Sequence, residues 1–422
     1  MECLVGGFQG SCMESGRKRV GSDLFSVRIV LFMISQNLSL FGSSVVGFAI
    51  IWHITIETSS GIWLMYATLA NMVPHLIISL YSGVWADRYR KKYLIMLSDG
   101  FIALVTLILF VLFRLGYQNL ELLLVVSVIR SLGSGVQGPA VSAILPQIVP
   151  AEHLTRIQGI NQSISAVLYM LAPAMGGMLL ALMDLSWTFL LDVLTATVAL
   201  CVFIFIKVDA AKRAKKDVPV VHAMFEGLRY TFGNPVLRNL IIYYSFAFFL
   251  LTPAAILTPL LVERSFGPEV WRLTVNEVSW TIGNLIGGIL VSLRGHFNDK
   301  VKAIAISLVA LGVGFALLGM APFFSLYLLI MTIVGIFMPI LTTAETVMIQ
   351  KITPPNKMGR VFSIVQVLSG STIPLGMLVY GPLADIVSIE SLLIVSGALM
   401  ALVGLLYHRT NRRMKEQGLW DI

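Results

Sequence analysis

Twelve apolar stretches, each about long enough to wind across a bilayer as a helix, constrain this chain more than any other feature. They lie near 26–52, 62–86, 93–114, 121–145, 157–182, 187–206, 239–262, 273–293, 303–321, 324–349, 361–384 and 389–407. Inside hydrocarbon a helix satisfies its own N–H and C=O groups, which an open strand cannot do. The pattern therefore predicts an all-α integral membrane protein with twelve transmembrane helices. Composition agrees, since only 12% of the 422 residues are charged and the mean hydropathy is +0.86. A soluble domain carries about 25% charged residues.

The bases give the chain its expected sidedness. With the N-terminus inside, 26 of the 30 Lys and Arg residues fall in inside segments. Arg114, Arg264 and Arg272 fall outside, and Arg130 lies within a span. Such a bias places both termini in the cytoplasm. It also explains the net charge of +8 as bases facing an anionic leaflet, so no nucleic-acid partner is expected. Residues 1–23 read as a cytoplasmic tail without a cleavable signal, and 408–422 as a second tail. The basic stretch 207–238, which includes KVDAAKRAKKDVPV, reads as either a solvated linker or a lipid- or partner-binding patch. It separates a bundle of six spans at 24–206 from another at 239–407. Cys3, Cys12 and Cys201 are too scattered for a disulfide framework or a zinc site, so no metal and no cofactor is expected. The sequence has no G-x4-G-K-[ST] loop, no H-E-x-x-H and no G-x-S-x-G, which argues against an ATP-driven pump and against those enzyme classes.

The two sets of six spans are related. Shifted by 204 residues, QIVPAEHLTRIQGINQSIS (147–165) falls on KITPPNKMGRVFSIVQVLS (351–369). Pro150 meets Pro354, Arg156 meets Arg360, Gln162 meets Gln366, and Gly177 meets Gly381. An even number of spans per copy keeps both copies in one orientation, related by an axis along the membrane normal. A solute site can form where such copies face each other.

GVWADRYRKK (83–92), in the loop after the second span, resembles the G-x-L-A-D-R-x-G-R-K signature of the major facilitator superfamily. Gly83, Asp87 and Arg88 fit it, whereas Arg90 stands where the family has its second glycine. GINQSISAVLYMLAPAMGG (159–177) is similar to the fifth-helix motif of the family's exporters. Gly159, Pro173, Gly176 and Gly177 fit, and Leu168 and Ala172 replace two glycines. The phrases FLLDVLTA, PQIVPAEHLTRIQG and MGRVFSIVQ look most like the macrolide-efflux and enterobactin-exporter branch. The resemblance covers roughly 24–407. It implies the major facilitator fold, a plasma-membrane location, a monomer, and proton-driven export of small hydrophobic molecules. A siderophore or lipid cargo is the alternative, and a membrane receptor or enzyme stands as a third reading from another class.

The resemblance also implies site residues. Asp87 is expected to latch the two bundles near a helix N-terminus, the alternative being a purely topogenic charge. A charge near mid-bilayer is costly and turns to the bundle interior, so Arg130 reads as either a structural ion pair or a proton-coupling residue. Its candidate partners are Asp99, Gln36 and Asn37. Asp99, Asp192 and Glu345 are acids within spans, and Asp99 and Glu345 are the candidate proton carriers. Asp192 is expected to cap or pair locally.

Overall fold

The computed structural model describes residues 27–149, 154–206, 228–294, 297, 299–354 and 358–416. Thirteen helices carry the fold among them: α1 Val27–Thr58, α2 Gly61–Arg88, α3 Lys91–Arg114, α4 Leu120–Ile148, α5 Leu154–Leu182, α6 Ser186–Ile204, α7 Pro235–Ile256, α8 Thr258–Phe266, α9 Val270–Arg294, α10 Lys300–Leu318, α11 Phe324–Ile352, α12 Met358–Leu383 and α13 Ile389–Glu416. Together they make twelve spans, because α7 and α8 share one.

That shared span corrects the continuous segment expected at 239–262. Proline has no N–H and its ring crowds the preceding turn. Pro253 lies in the last turn of α7 and Pro259 in the first turn of α8. The chain breaks at Leu257, whose N–H still donates to the Pro253 carbonyl at 2.9 Å. The start of α7 at Pro235 is set by Asn234, whose side chain accepts from the N–H groups of Val236 and Leu237. This is an ordinary N-cap with proline in the first helical turn, and it falls within the stretch read as linker.

The main helix pairings of the first half recur in the second. Helix α1 packs on α5 and α6, α2 on α4, and α3 on α4 and α6. Correspondingly α7 packs on α12 and α13, α9 on α11, and α10 on α11 and α13. The offset of 204 residues holds at both ends of α4 and α11, Leu120 against Phe324 and Ile148 against Ile352. Without a hydrophobic drive between helices in lipid, small residues allow the close approach that packing needs. On α10 and α13, a Cβ added to Gly312 would strike the backbone of Ala401 and Gly397.

The halves meet through α2 on α12, α5 on α9, and α1 on α8. The first two seams are equivalents under the repeat. Gly177 and Gly381, matched in the sequence, occupy them. A Cβ on Gly177 would collide with Thr274 of α9, and one on Gly381 would lie 2.6 Å from the Met65 Cβ of α2. Ten spans are apolar enough to be read as membrane-crossing by themselves; α9 is not among them, and α12 enters only as the shorter stretch Val367–Leu383.

Candidate functional site

Three groups of polar side chains are set into this apolar frame. The first lies within the N-terminal half. Arg130 on α4 forms an ion pair with Asp192 on α6, and both are buried. Arg130 also bonds Thr106 of α3. The Asp192 carboxylate accepts from Thr106 at 3.2 Å and from Ser43 of α1 at 3.1 Å. A buried guanidinium needs a charged partner with its remaining lone pairs satisfied, and Asp192 meets that need. The expected partners of Arg130 are therefore corrected. Asp99 accepts instead from Ser39 at 3.1 Å and from Gln137 at 2.5 Å. Asn37 bonds Asn161 at 2.8 Å and accepts from Ser165 at 3.2 Å. Gln36 is buried with neither amide atom bonded. At the repeat-related positions of Asp99, Arg130 and Asp192 stand Ala303, Val334 and Ser396, so this charged core belongs to one half alone.

The second group lies in the C-terminal half. Glu345 on α11 is buried beside the Tyr244 hydroxyl of α7, its hydrogen-bond partner, and its Oε1 is unbonded. Glu277 on α9 was missed among the span acids, although it falls within the expected stretch 273–293. Its carboxylate accepts from Asn276 at 3.3 Å, and Asn276 in turn accepts from the Tyr327 hydroxyl at 2.9 Å. The signal was present in TVNEVSWTIGN (274–284): Thr274, Glu277, Thr281 and Asn284 recur at helical spacing.

The third group joins the halves at the end carrying the α1–α2 turn. The first N–H groups of a helix lack intrahelical partners and form its positive end. At α2 the N-cap residue Ser60 does not satisfy them with its own side chain. Asp385, just past α12, does so from the other half. It accepts from Gly61 N at 2.7 Å, Ile62 N at 3.1 Å and Ser60 Oγ at 2.8 Å. Arg264 adds Nη2 to the same carboxylate at 3.0 Å, and its Nη1 donates to the Ala384 carbonyl at 2.6 Å. Ser59 completes the knot: its carbonyl accepts from Arg264 at 2.5 Å and its hydroxyl donates to Glu263 at 2.7 Å. Burial pushes the Asp385 carboxyl up, but the bonds from Gly61, Ser60, Ile62 and Arg264 outweigh it and hold the group below its ordinary value. Ser59 has φ of 44°, a conformation that non-glycine residues rarely adopt.

The motif residues divide. Gly177 lies at the α5–α9 seam with the Trp52 ring 3.1 Å from its added Cβ, and Gly176 sits against the Val45 carbonyl of α1 at 3.4 Å. Pro173 is buried in the same helix. Gly83, Asp87 and Arg88 belong to the last turns of α2, and Gly159 to the first turns of α5, but their side-chain surroundings lie outside the described residues. Lys92 donates to the carbonyls of Ile204 and Ile206 at 2.8 and 2.7 Å, which caps the C-terminal end of α6. An apolar cavity of about 410 Å³ lies between α1 and α5, lined by Met33, Ile34, Phe41, Ile160 and Leu168, with Asn37 at its wall.

Residues 25–419 match the major facilitator family described as transmembrane secretion effector. The chain belongs to this family. Among relatives of the facilitator, macrolide efflux protein A of Streptococcus pyogenes is 26% identical over 384 residues, covering 90% of this chain and 95% of that protein. The staphyloferrin A transporter of Staphylococcus aureus is 23% identical over 390 residues, covering 91% and 96%. A point-substituted form of the nucleoside transporter NupG superposes with a TM-score of 0.70 at 14% identity, over 90% of this chain and 98% of that one. The facilitator is thus a multi-pass membrane transporter and not an enzyme.

Proposed function

We propose that this facilitator exports hydrophobic small molecules of the macrolide type from the cytoplasm, driven by protons moving inward. It acts as a monomer in the plasma membrane, with both termini and the 207–238 linker cytoplasmic. The observation that carries the reading is the pair of repeat-related seams, α2 on α12 and α5 on α9, closed by the Asp385 knot at one end. Two rigid halves joined at one end are the geometry of alternating access. On the proposed sidedness that end faces outward, and its closure suits a state that loads cargo from inside. The cavity between α1 and α5 offers an apolar wall for it. The relationship to a macrolide efflux protein along nearly the whole chain supports the cargo class.

Coupling to protons draws on an acid within the spans that lacks a basic partner among the described residues, with Asp99, Glu345 and Glu277 as the candidates. Asp99 and Glu345 are buried among neutral donors, whereas Arg130 is occupied by Asp192 and organises the N-terminal half. In the opposite state Asp87 is the proposed latch at the other end, with Gly83 and Arg88 shaping its turn. Asp87→Asn at normal surface expression then sharply reduces transport.

A direct test is macrolide susceptibility of an efflux-deficient host expressing the protein, with and without a protonophore. Raised resistance that collapses with the gradient supports the proposal, and unchanged resistance rejects it. The likeness to a staphyloferrin A transporter favours one second reading, export of a siderophore. Release of an endogenous siderophore without any macrolide effect supports that reading instead.

A further inference from the structure

A proton that binds where the two halves separate is coupled directly to their rocking. Contacts within a half persist as rigid bodies rock, while contacts between halves break. This criterion separates the acids. The partners of Asp99 (Ser39 and Gln137) come from its own half, as does Tyr244, the partner of Glu345. Among the described residues neither acid bonds the opposite half.

Glu277 is also bonded within its own half, but it stands on α9, which packs against α5 of the other half, whereas the main packing of α3 and α11 lies within their own halves. It stands three residues after Thr274, and residues three apart share a helix face. Thr274 is the residue against which Gly177 of the other half packs, with Trp52 alongside. Glu277 is partly buried. Among the described residues its side chain is bonded by Asn276 at 3.3 Å, which Tyr327 holds in place. Among the described residues no base pairs with it. Arg272, five residues earlier on α9, is engaged by Glu269 at 3.0 Å. Of the helices packed on α9, α11 presents the Tyr327 hydroxyl, and its other charged groups, Glu345 and Lys351, lie at least four turns further along. On α8, Glu263 and Arg264 are turned to Ser59 and Asp385. Helix α5 carries Tyr169 two turns from Gly177, and no acid or base among its described side chains. The repeat-related position in α2 is Val73, so the first half offers no equivalent acid at its own seam.

We propose that Glu277 is the carboxylate that takes up and releases the coupling proton as the α5–α9 seam opens and closes. An opened seam admits water, from which the carboxylate takes a proton. A closed seam holds the neutral acid in an apolar wall, and reopening toward the other side returns the proton to water. This rests on the proton-driven export reading above and adds the residue where coupling occurs.

The test uses the full-length protein in proteoliposomes, with radiolabelled erythromycin as the probe and wild type, Glu277→Gln, Glu277→Asp and Asp99→Asn compared. Glu277→Gln is expected to keep downhill erythromycin exchange. It is also expected to lose accumulation driven by a pH gradient by about tenfold or more, the range of a typical coupling energy, with Glu277→Asp restoring part of it. Gradient-driven accumulation by Glu277→Gln within twofold of wild type overturns the proposal. An independent readout is the infrared carboxyl band of the purified protein as pH is varied. A titrating band that vanishes in Glu277→Gln but persists in Asp99→Asn supports the assignment, and a band unchanged in Glu277→Gln overturns it. If wild type itself accumulates no erythromycin, the export reading fails for this cargo and the infrared titration alone decides Glu277.

Discussion

The Asp385 carboxylate and the backbone N–H of Gly61 lie 2.7 Å apart, although 324 residues and the division between the halves separate them. An acid from one half thus supplies the N-terminal cap that the first helix turn of the other lacks. Closing this end and completing helix α2 are the same event.

Asp385→Asn removes the charge from four hydrogen bonds, three of them to α2 and its cap. Bonds to a charged group contribute about 1.5–3 kcal/mol each, so losing one such contribution shifts the closed population by about tenfold or more. Met65, under Gly381 at the seam, is buried. In a background free of other cysteines, Met65→Cys is expected to react about tenfold faster with an impermeant maleimide when Asp385→Asn is added. An unchanged rate removes the knot from the account of closure.

The same labelling carries a pH prediction. The Asp385 carboxyl is held below its ordinary value in the closed knot. A depressed pKa makes a contribution that is fully present above the ordinary carboxylate value of about 4 and is lost only as pH falls through the lowered one. Maleimide reactivity of Met65→Cys, corrected for the thiolate fraction, is therefore expected to stay flat from about pH 8 to about pH 5. A rise on acidification within that window contradicts the sign.

Removing one member of the Arg130–Asp192 pair strands a buried charge. Arg130→Met and Asp192→Asn are each expected to cost about 3–5 kcal/mol, while the double variant Arg130→Met with Asp192→Leu recovers most of it. Thermal unfolding in detergent measures this. Additive losses in the double variant would show that the two side chains act independently.

At the α2–α12 seam the constraint is steric. An added Cβ on Gly381 lies 2.6 Å from Met65 Cβ and 3.0 Å from the Gly61 carbonyl oxygen, atoms fixed to the backbone that cannot swing aside. Gly381→Val is expected to hold this end apart. Spin labels at the exposed positions Leu182 and Trp271, on α5 and α9, report it as a longer distance than in wild type. Equal distances would place the hinge elsewhere.

The fold was largely readable because lipid leaves a chain few options: the twelve runs, their charge bias and the repeat all describe backbone segments. Even the break at Leu257 was marked, by Pro253 and Pro259, but a run of apolar residues outweighed it. Partnerships were harder. Arg130 and Asp192 are 62 residues apart on helices whose facing depends on the whole bundle, and spacing along one helix says nothing of it. Asp385 fell in a short connection where an acid looks unremarkable without knowledge that α2 begins opposite. Glu277 was overlooked for a plainer reason: α9 was weighed by its apolar content, when its polar stripe was the informative part.

The ion pair between α4 and α6 also bears on how the chain is made. Helix α4 leaves the ribosome with its arginine well before Asp192 of α6 is synthesised. Until then the guanidinium has Thr106 on α3 but not its acid. The ion pair that closes the first bundle therefore forms only once the sixth span has been made. A nascent chain halted after α5 carries its arginine without the acid that pairs with it.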